Sequence, residues 1–295
     1  MRTAYLRMHL AIFLWGFTGL LGKLIKLNEG MLVWYRMLIS SVVIALILVS
    51  RKELPRLSRG EFVRISGIGF LVMLHWIAFY GSIKLANISI AMICLSSVAL
   101  FASFLEPLIN RQKFDPMEIL FSGLAITGIS SIYFSDPSVS TGVVVGLISS
   151  FFSALFSVLN RRIASKHPPL TISLIELAAG AFFLTFLIPV YLWWQPDTVF
   201  VPDQMDWIYL IILSVICTVF TWILSLQALR NVSAYTMALA LNLEPVYGIL
   251  LAVLFAGEAA VLNERFLLGA AVIILTVALH TLYKFKKERK TVSKA

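Results

Sequence analysis

Apolar runs long enough to cross a bilayer follow one another from Thr3 to Phe285, parted by short polar hinges. A helix needs about 20 mostly apolar residues to cross the roughly 30 Å hydrocarbon layer. Ten runs fit, over 5–26, 31–50, 63–83, 88–109, 117–134, 141–163, 170–194, 207–229, 233–256 and 263–284. The sequence therefore predicts an all-α integral membrane protein of about ten transmembrane helices. A composition of 60% hydrophobic and 13% charged residues, with a mean hydropathy of +0.92, excludes an ordinary water-soluble domain. A membrane barrel is excluded because no run alternates apolar and polar residues. Breaker chemistry supports the cuts at Asn28-Glu29-Gly30, Asp115-Pro116, Asp136-Pro137, His167-Pro168-Pro169 and Gln195-Pro196-Asp197. The first run follows Arg2 and Arg7 but lacks a small-residue cleavage site, so it reads as a retained helix and not a leader.

A formal charge of +9 suggests nucleic acid until its distribution is examined. If both termini are cytoplasmic, inside segments hold Arg2, Arg7, Arg51, Lys52, Arg56, Arg59, Arg64, Arg111, Lys113, Arg161, Arg162, Lys166, Arg230, Lys284, Lys286, Lys287, Arg289, Lys290 and Lys294. That is nineteen of the 24 Lys and Arg residues, leaving Lys23, Lys26, Arg36, Lys84 and Arg265. Such a bias follows the positive-inside rule. The basic balance therefore reports topology and contact with anionic membrane lipid, with no nucleic acid implied. Cys94 and Cys217 fall inside spans, where they read as small packing residues and suggest no metal or disulfide framework.

The halves resemble each other weakly but in order. Gly16, Gly19 and Gly22 match Ala154, Ser157 and Asn160 at an offset of 138, and Arg36 matches Glu176 at 140. Asn87-Ile88-Ser89 matches Asn231-Val232-Ser233 at 144, and Gly123 matches Gly269 at 146. A steadily growing offset is what a duplication with small insertions leaves. Five helices per copy would make the second enter from the opposite side, so the expectation is two inverted five-helix repeats. They would occupy residues 1–138 and 139–285, with 286–295 a basic cytoplasmic tail. Inverted pairs are the architecture of secondary transporters, whose substrate site lies near the bilayer midplane at the repeat interface.

Three stretches make the likeness specific: Phe13-Leu14-Trp15-Gly16-Phe17-Thr18-Gly19, His75-Trp76-Ile77-Ala78-Phe79-Tyr80-Gly81-Ser82, and Asn242-Leu243-Glu244-Pro245-Val246-Tyr247-Gly248 with Gly257-Glu258. The chain resembles the EamA family of the drug/metabolite transporter superfamily. That resemblance implies a ten-helix, two-repeat layout over nearly the whole chain and metabolite transport, often export. It also implies a bacterial inner (plasma) membrane setting. The chain departs from the pattern at Leu100, where the repeat calls for a proline, while Glu106-Pro107 comes later.

Polar groups in hydrocarbon cost several kcal/mol if unpaired, so each is a candidate for a pathway or for packing. Glu244 stands out, because Pro245 leaves the carbonyl near Leu241 without its usual donor. Asn242 and Tyr247 could share that polar spot. The plainer role is a structural carboxylate holding a helix break. His75, Trp76, Phe79 and Tyr80 form one aromatic face. It would face Trp15 if the first and third spans line one cavity, as the family resemblance implies. Packing is the common role of such a stripe, and a satisfied hydrogen-bonded residue that of a lone histidine. The substrate-binding candidates are Trp15, His75, Trp76, Phe79, Tyr80, Trp222, Asn242, Glu244 and Tyr247, with His75 and Glu244 also candidates for proton coupling. Arg36, Glu106 and Glu176 read as structural charges, Arg36 and Glu176 pairing with each other or with unlike neighbours. Gly16, Gly19 and Gly22, with Ser150, Ser153 and Ser157, form small faces for close helix approach.

No Gly-rich phosphate loop, nucleophile or ligand cluster is present, so the sequence suggests neither ATP-driven pumping nor an enzyme, and no cofactor. The expected function is export of a small amphipathic metabolite, such as an apolar or aromatic amino acid, by alternating access. The alternatives are a membrane scaffold, a lipid-handling enzyme, or transport of quaternary amines or lipid-linked intermediates.

Overall fold

The computed structural model describes residues 2–53, 57–111, 113–133, 137–164, 166–194, 196, 198–229, 240, 241 and 243–292. Among them the chain is helical, with no strand. It runs α1 (Arg2–Leu24), α2 (Glu29–Ser50), α3 (Arg59–Leu85), α4 (Ile88–Leu95), α5 (Val98–Asn110) and α6 (Pro116–Tyr133), then α7 (Ser140–Ala164) and α8 (Pro169–Trp194). After α9 (Gln204–Ile211) a π-helical stretch, Ile212–Phe220, leads into α10 (Thr221–Leu229). The last two helices, named here α11 and α12, span Glu244–Phe255 and Glu264–Val292.

Among the described residues, seven helical stretches are long and apolar enough to cross a membrane, counting α4 with α5 and α9 through α10 as one each. Large apolar residues such as Leu46, Phe186, Leu254 and Leu268 are more than half exposed. A water-soluble monomer does not carry so much exposed apolar surface, and hydrocarbon solvates it. The chain is a multi-pass membrane protein.

The helices start where local chemistry directs. Asn28 accepts from Met31 N–H ahead of α2, Ser58 and Glu61 form a reciprocal capping box on α3, and Asp203 caps α9. Pro116 and Pro169 open α6 and α8, where a missing N–H costs nothing.

One reading needs refinement. The run 88–109 is one candidate span but not one unbroken helix: it breaks at Ser96 and Ser97, whose N–H groups fall back on Met92 and Cys94 carbonyls. Glu244 stands at a helix start, as the break expected at Pro245 requires. It begins α11 with Pro245 in the first turn, after a short helical piece at Ala240–Leu241. Asn242 and the Asn231-Val232-Ser233 repeat segment lie outside the described residues, as do Asp136, Gln195 and Asp197 of the hinges and the end of the tail from 293.

Packing is largely between the halves of the chain. α3 packs on α7 and α8, α2 on α8, α1 on α10 and α11, α4 on α7 and α11, and α6 on α12. Small residues permit these approaches, but the two small faces do not serve each other. Gly16 meets Tyr247 and Gly248, Gly19 meets Met92 and Ile88, and Gly22 receives the Tyr80 ring, whereas Ser150 on α7 donates to the Cys94 carbonyl.

At the crossing of α3 and α8, a Cβ on Gly69 would run into the Glu176 backbone carbonyl. Backbone cannot yield as a side chain can. Gly69→Ala is therefore expected to cost about 1–3 kcal/mol by overpacking, read as a lowered thermal midpoint in detergent. Gly67→Ala, with open space around it, should hold or slightly raise the midpoint, since alanine is the better helix former.

Candidate functional site

Both interrupted stretches, Ser96–Ser97 and the approach to Glu244, end at one partly open cavity of about 270 Å³. Leu95 lines it from the first break, Leu241 and Glu244 from the second. α1 contributes Trp15 and Thr18, α2 Arg36, and α3 His75, Trp76 and Phe79. Phe156 comes from α7, while Cys217, Thr218 and Trp222 come from the π-helical stretch and the start of α10. Helix interruptions leave backbone polar groups unpaired, a state tolerated at membrane depth only where they are buried in protein or line a cavity.

Arg36 dominates the electrostatics. Its side chain is 5% exposed. Nη1 donates to the Tyr80 hydroxyl at 2.7 Å and Nε to Thr218 Oγ1 at 3.1 Å. The guanidinium carbon sits 3.7 Å from the Trp76 ring centroid, a close cation–π stack. Thr218 can accept because π-helical geometry turns its own hydroxyl to the Leu213 carbonyl, five residues back. Arg36 is thus held as a planar cation at the cavity wall. It forms no ion pair within 4 Å with Glu244, although both line the same space.

His75 is anchored by Ser149. Nδ1 lies 3.0 Å from the Ser149 carbonyl oxygen and 2.9 Å from its hydroxyl, with Phe79 and Phe156 rings alongside. Nδ1–H in that position can donate to the carbonyl, which fixes the ring's orientation.

Of the residues singled out by sequence, Trp15, His75, Trp76, Phe79, Trp222 and Glu244 line the cavity together. Tyr80 does not line it; it is fully buried behind Arg36 in the notch of Gly22. Tyr247 does not either, packing against Gly16 with its ring edge-on to Phe13. Glu106 pairs with Arg161, close to the helix ends. Glu176 pairs neither with Arg36 nor with any other cation within 4 Å among the described residues, and Asn160 is the polar side chain beside it. Sequence reasoning assigned Arg36 a structural charge and passed over Thr18, Phe156 and Thr218. A charge in a span was visible, but not the face it occupies.

Glu258, from the Gly257-Glu258 pair, lies away from the cavity. It is 3% exposed and accepts from Ile88 N–H, Ser89 N–H, the Ser89 hydroxyl and Lys23. With Asn87 accepting from Ile90 N–H, these bonds satisfy the first three amides of α4.

Comparison with known proteins places the chain in a family. An uncharacterized transporter of Bacillus subtilis (strain 168) is 21% identical over 286 residues, covering 94% of this chain and 89% of that protein. An uncharacterized transporter of Archaeoglobus fulgidus is 22% identical over 231 residues, covering 75% and 78%. A solved crystal structure superposes with a TM-score of 0.64 at 19% identity, covering 96% of this chain and 98% of that one, which shows a shared fold. The EamA-like transporter family matches twice, over residues 2–134 and 140–282, and the chain belongs to that family.

Proposed function

We propose that this protein is a secondary transporter that carries a small zwitterion, best an aromatic or apolar amino acid, outward across a bacterial inner membrane by alternating access. The supporting observation is the cavity: one cation, Arg36, and one carboxyl, Glu244, among five aromatic walls, Trp15, Trp76, Phe79, Phe156 and Trp222. Arg36 suits a substrate carboxylate, Glu244 an α-ammonium group, and the indole faces an apolar side chain. A volume of about 270 Å³ is at the lower edge of ligand pockets, which run from roughly 300 Å³ upward. Lipid-linked intermediates and sugar nucleotides are too large for it, and a simple quaternary amine would leave Arg36 without a counter-charge.

The reading takes the short apolar helices at Leu120–Ser131 and Glu244–Phe255, together with α12, as further spans, ten in all. Its two inverted repeats, 1–138 and 139–285, agree with two family matches and with helix breaks on both sides of the cavity. Both termini are then cytoplasmic, and the basic ends rest against anionic lipid.

The test is flux of labelled amino acids from liposomes holding purified protein, with and without a pH step. Glu244→Gln in folded protein should lower flux about 10- to 100-fold, the range for losing one charge-assisted contact. His75→Ala should lower it less, through loosened packing at Ser149. Full flux in both variants overturns the site assignment.

A further inference from the structure

Away from the central cavity, α3 and α8 leave between them a second and larger hollow, a groove of about 930 Å³. Its shape follows from side-chain size. Ala178 and Ala179 make a shallow floor on α8, while Phe62 of α3 and Phe182 of α8, each more than half exposed, stand at its sides. The two helices run side by side in one direction, because Glu61 meets His167, Gly69 meets Glu176 and Phe70 meets Phe183 in that order. Arg59 and Phe183 therefore mark opposite ends. Phe183 stops the groove with its ring edge-on to Phe70 at 5.3 Å, and Arg59 is the one charged residue lining it among the described residues.

Both helices span the membrane, so the groove opens on hydrocarbon. Its length suits that setting. The α8 wall from Leu174 to Phe183 rises about 13 Å at 1.5 Å per residue, close to the roughly 15 Å of hydrocarbon in one leaflet. Apolar fit alone does not hold one particular lipid, since the tails of the bulk bilayer are as apolar as any side chain. The charged end decides. Arg59 has no carboxylate within 4 Å among the described residues, and Glu61 in the same turn is taken up by Ser58 and His167. A guanidinium presents a planar fork of donors that matches phosphate, and as the first residue of α3 it stands at the positive end of a helix.

We propose that the groove is a binding site for an anionic phospholipid, with one acyl chain laid over Ala178 and Ala179 between the two phenylalanines and the phosphate held by Arg59. Such a lipid touches α3 and α8 at once. Ser66 and Ile175 line the groove beside the contact of Gly69 with Glu176, so the bound chain braces that crossing. Occupancy depends on the membrane setting and this geometry, and not on transport.

Native mass spectrometry of purified protein in detergent, titrated with dioleoyl phosphatidylglycerol or dioleoyl phosphatidylcholine, tests the site. The wild type should bind the anionic lipid about fivefold more tightly, the effect of one interfacial cation. Arg59→Gln should bind the two nearly alike. Arg64→Gln, an exposed charge on the same helix outside the groove, should keep the preference. Ala178→Trp, which fills the groove from an exposed position, should weaken tight binding of both lipids. Phosphatidylglycerol should also raise the thermal midpoint of the wild type more than phosphatidylcholine does, a difference that Arg59→Gln loses. A preference that survives Arg59→Gln, or falls as far in Arg64→Gln, overturns the site. Lipid binding unchanged in Ala178→Trp overturns it too, as does a wild-type dimer that Ala178→Trp abolishes, which would give this face to a second copy of the chain.

Discussion

Arg36→Gln is expected to weaken substrate binding strongly while leaving most of the helical frame in place. The substitution removes the stack on Trp76 at 3.7 Å and the donors to Tyr80 and Thr218, and it leaves Glu244 as the one charge at the cavity wall. Truncating one partner of a buried, hydrogen-bonded charge contact costs about 2–5 kcal/mol. Substrate affinity should therefore fall roughly 30- to 4,000-fold, at about tenfold per 1.4 kcal/mol. Arg36→Lys keeps the charge but loses the planar fork and its ring stacking, and should fall between. Titration calorimetry with a labelled-flux control checks the series. Affinity retained in Arg36→Gln would show that the guanidinium serves the fold alone.

The second large effect lies at the far end of α4. Glu258→Ala withdraws the acceptor for two backbone amides, one hydroxyl and one ammonium at once. Removing one partner of a buried charged network costs about 3–5 kcal/mol, because the groups left behind stay unpaired. A pH dependence follows with a definite sign. Burial alone would push the Glu258 carboxyl up, but the Ile88 amide, the Lys23 ammonium and the Ser89 amide and hydroxyl together hold it below the ordinary carboxylate value. A carboxyl depressed on folding binds fewer protons in the native state. Its stabilisation is complete above the unfolded carboxylate range, near 4.3, and is lost as pH falls through the depressed native value. Thermal midpoints of the wild type should drop on acidification through that range. Those of Glu258→Ala should start lower and change less over the same range.

Much of the frame was legible in the chain because hydrocarbon imposes one demand on every span. Runs such as 31–50 and 170–194 carry that signal, and Asn28, Ser58 and Asp203 announce helix starts through side chains that bond free amides. The break at Ser96–Ser97 was not legible, since it holds neither proline nor glycine and its flanks are as apolar as any span. Its amides turn back to the Met92 and Cys94 carbonyls beside the cavity-lining Leu95, an arrangement set by tertiary surroundings. The π-helical stretch Ile212–Phe220 was hidden for the same reason: nine residues, all but Ser214 and Thr218 apolar or sulfur-bearing, look alike at any helical period. The cavity residues Trp15, Trp76 and Glu244 could be named because aromatic and charged groups are conspicuous in lipid. Arg36 was named too, but its role depends on contacts to Tyr80 and Thr218, 44 and 182 residues away along the chain. No periodicity within one helix encodes those contacts.

The most direct measurement is competition against labelled phenylalanine flux in liposomes, using phenylalanine itself, phenethylamine without the carboxylate, and phenylpropionate without the ammonium. If Arg36 and Glu244 grip the two ends of a zwitterion, unlabelled phenylalanine competes, and each analogue competes at least about tenfold more weakly, the cost of one lost charge-assisted bond. Equal competition by all three, or flux no faster than through protein-free liposomes, contradicts a zwitterion path through the central cavity.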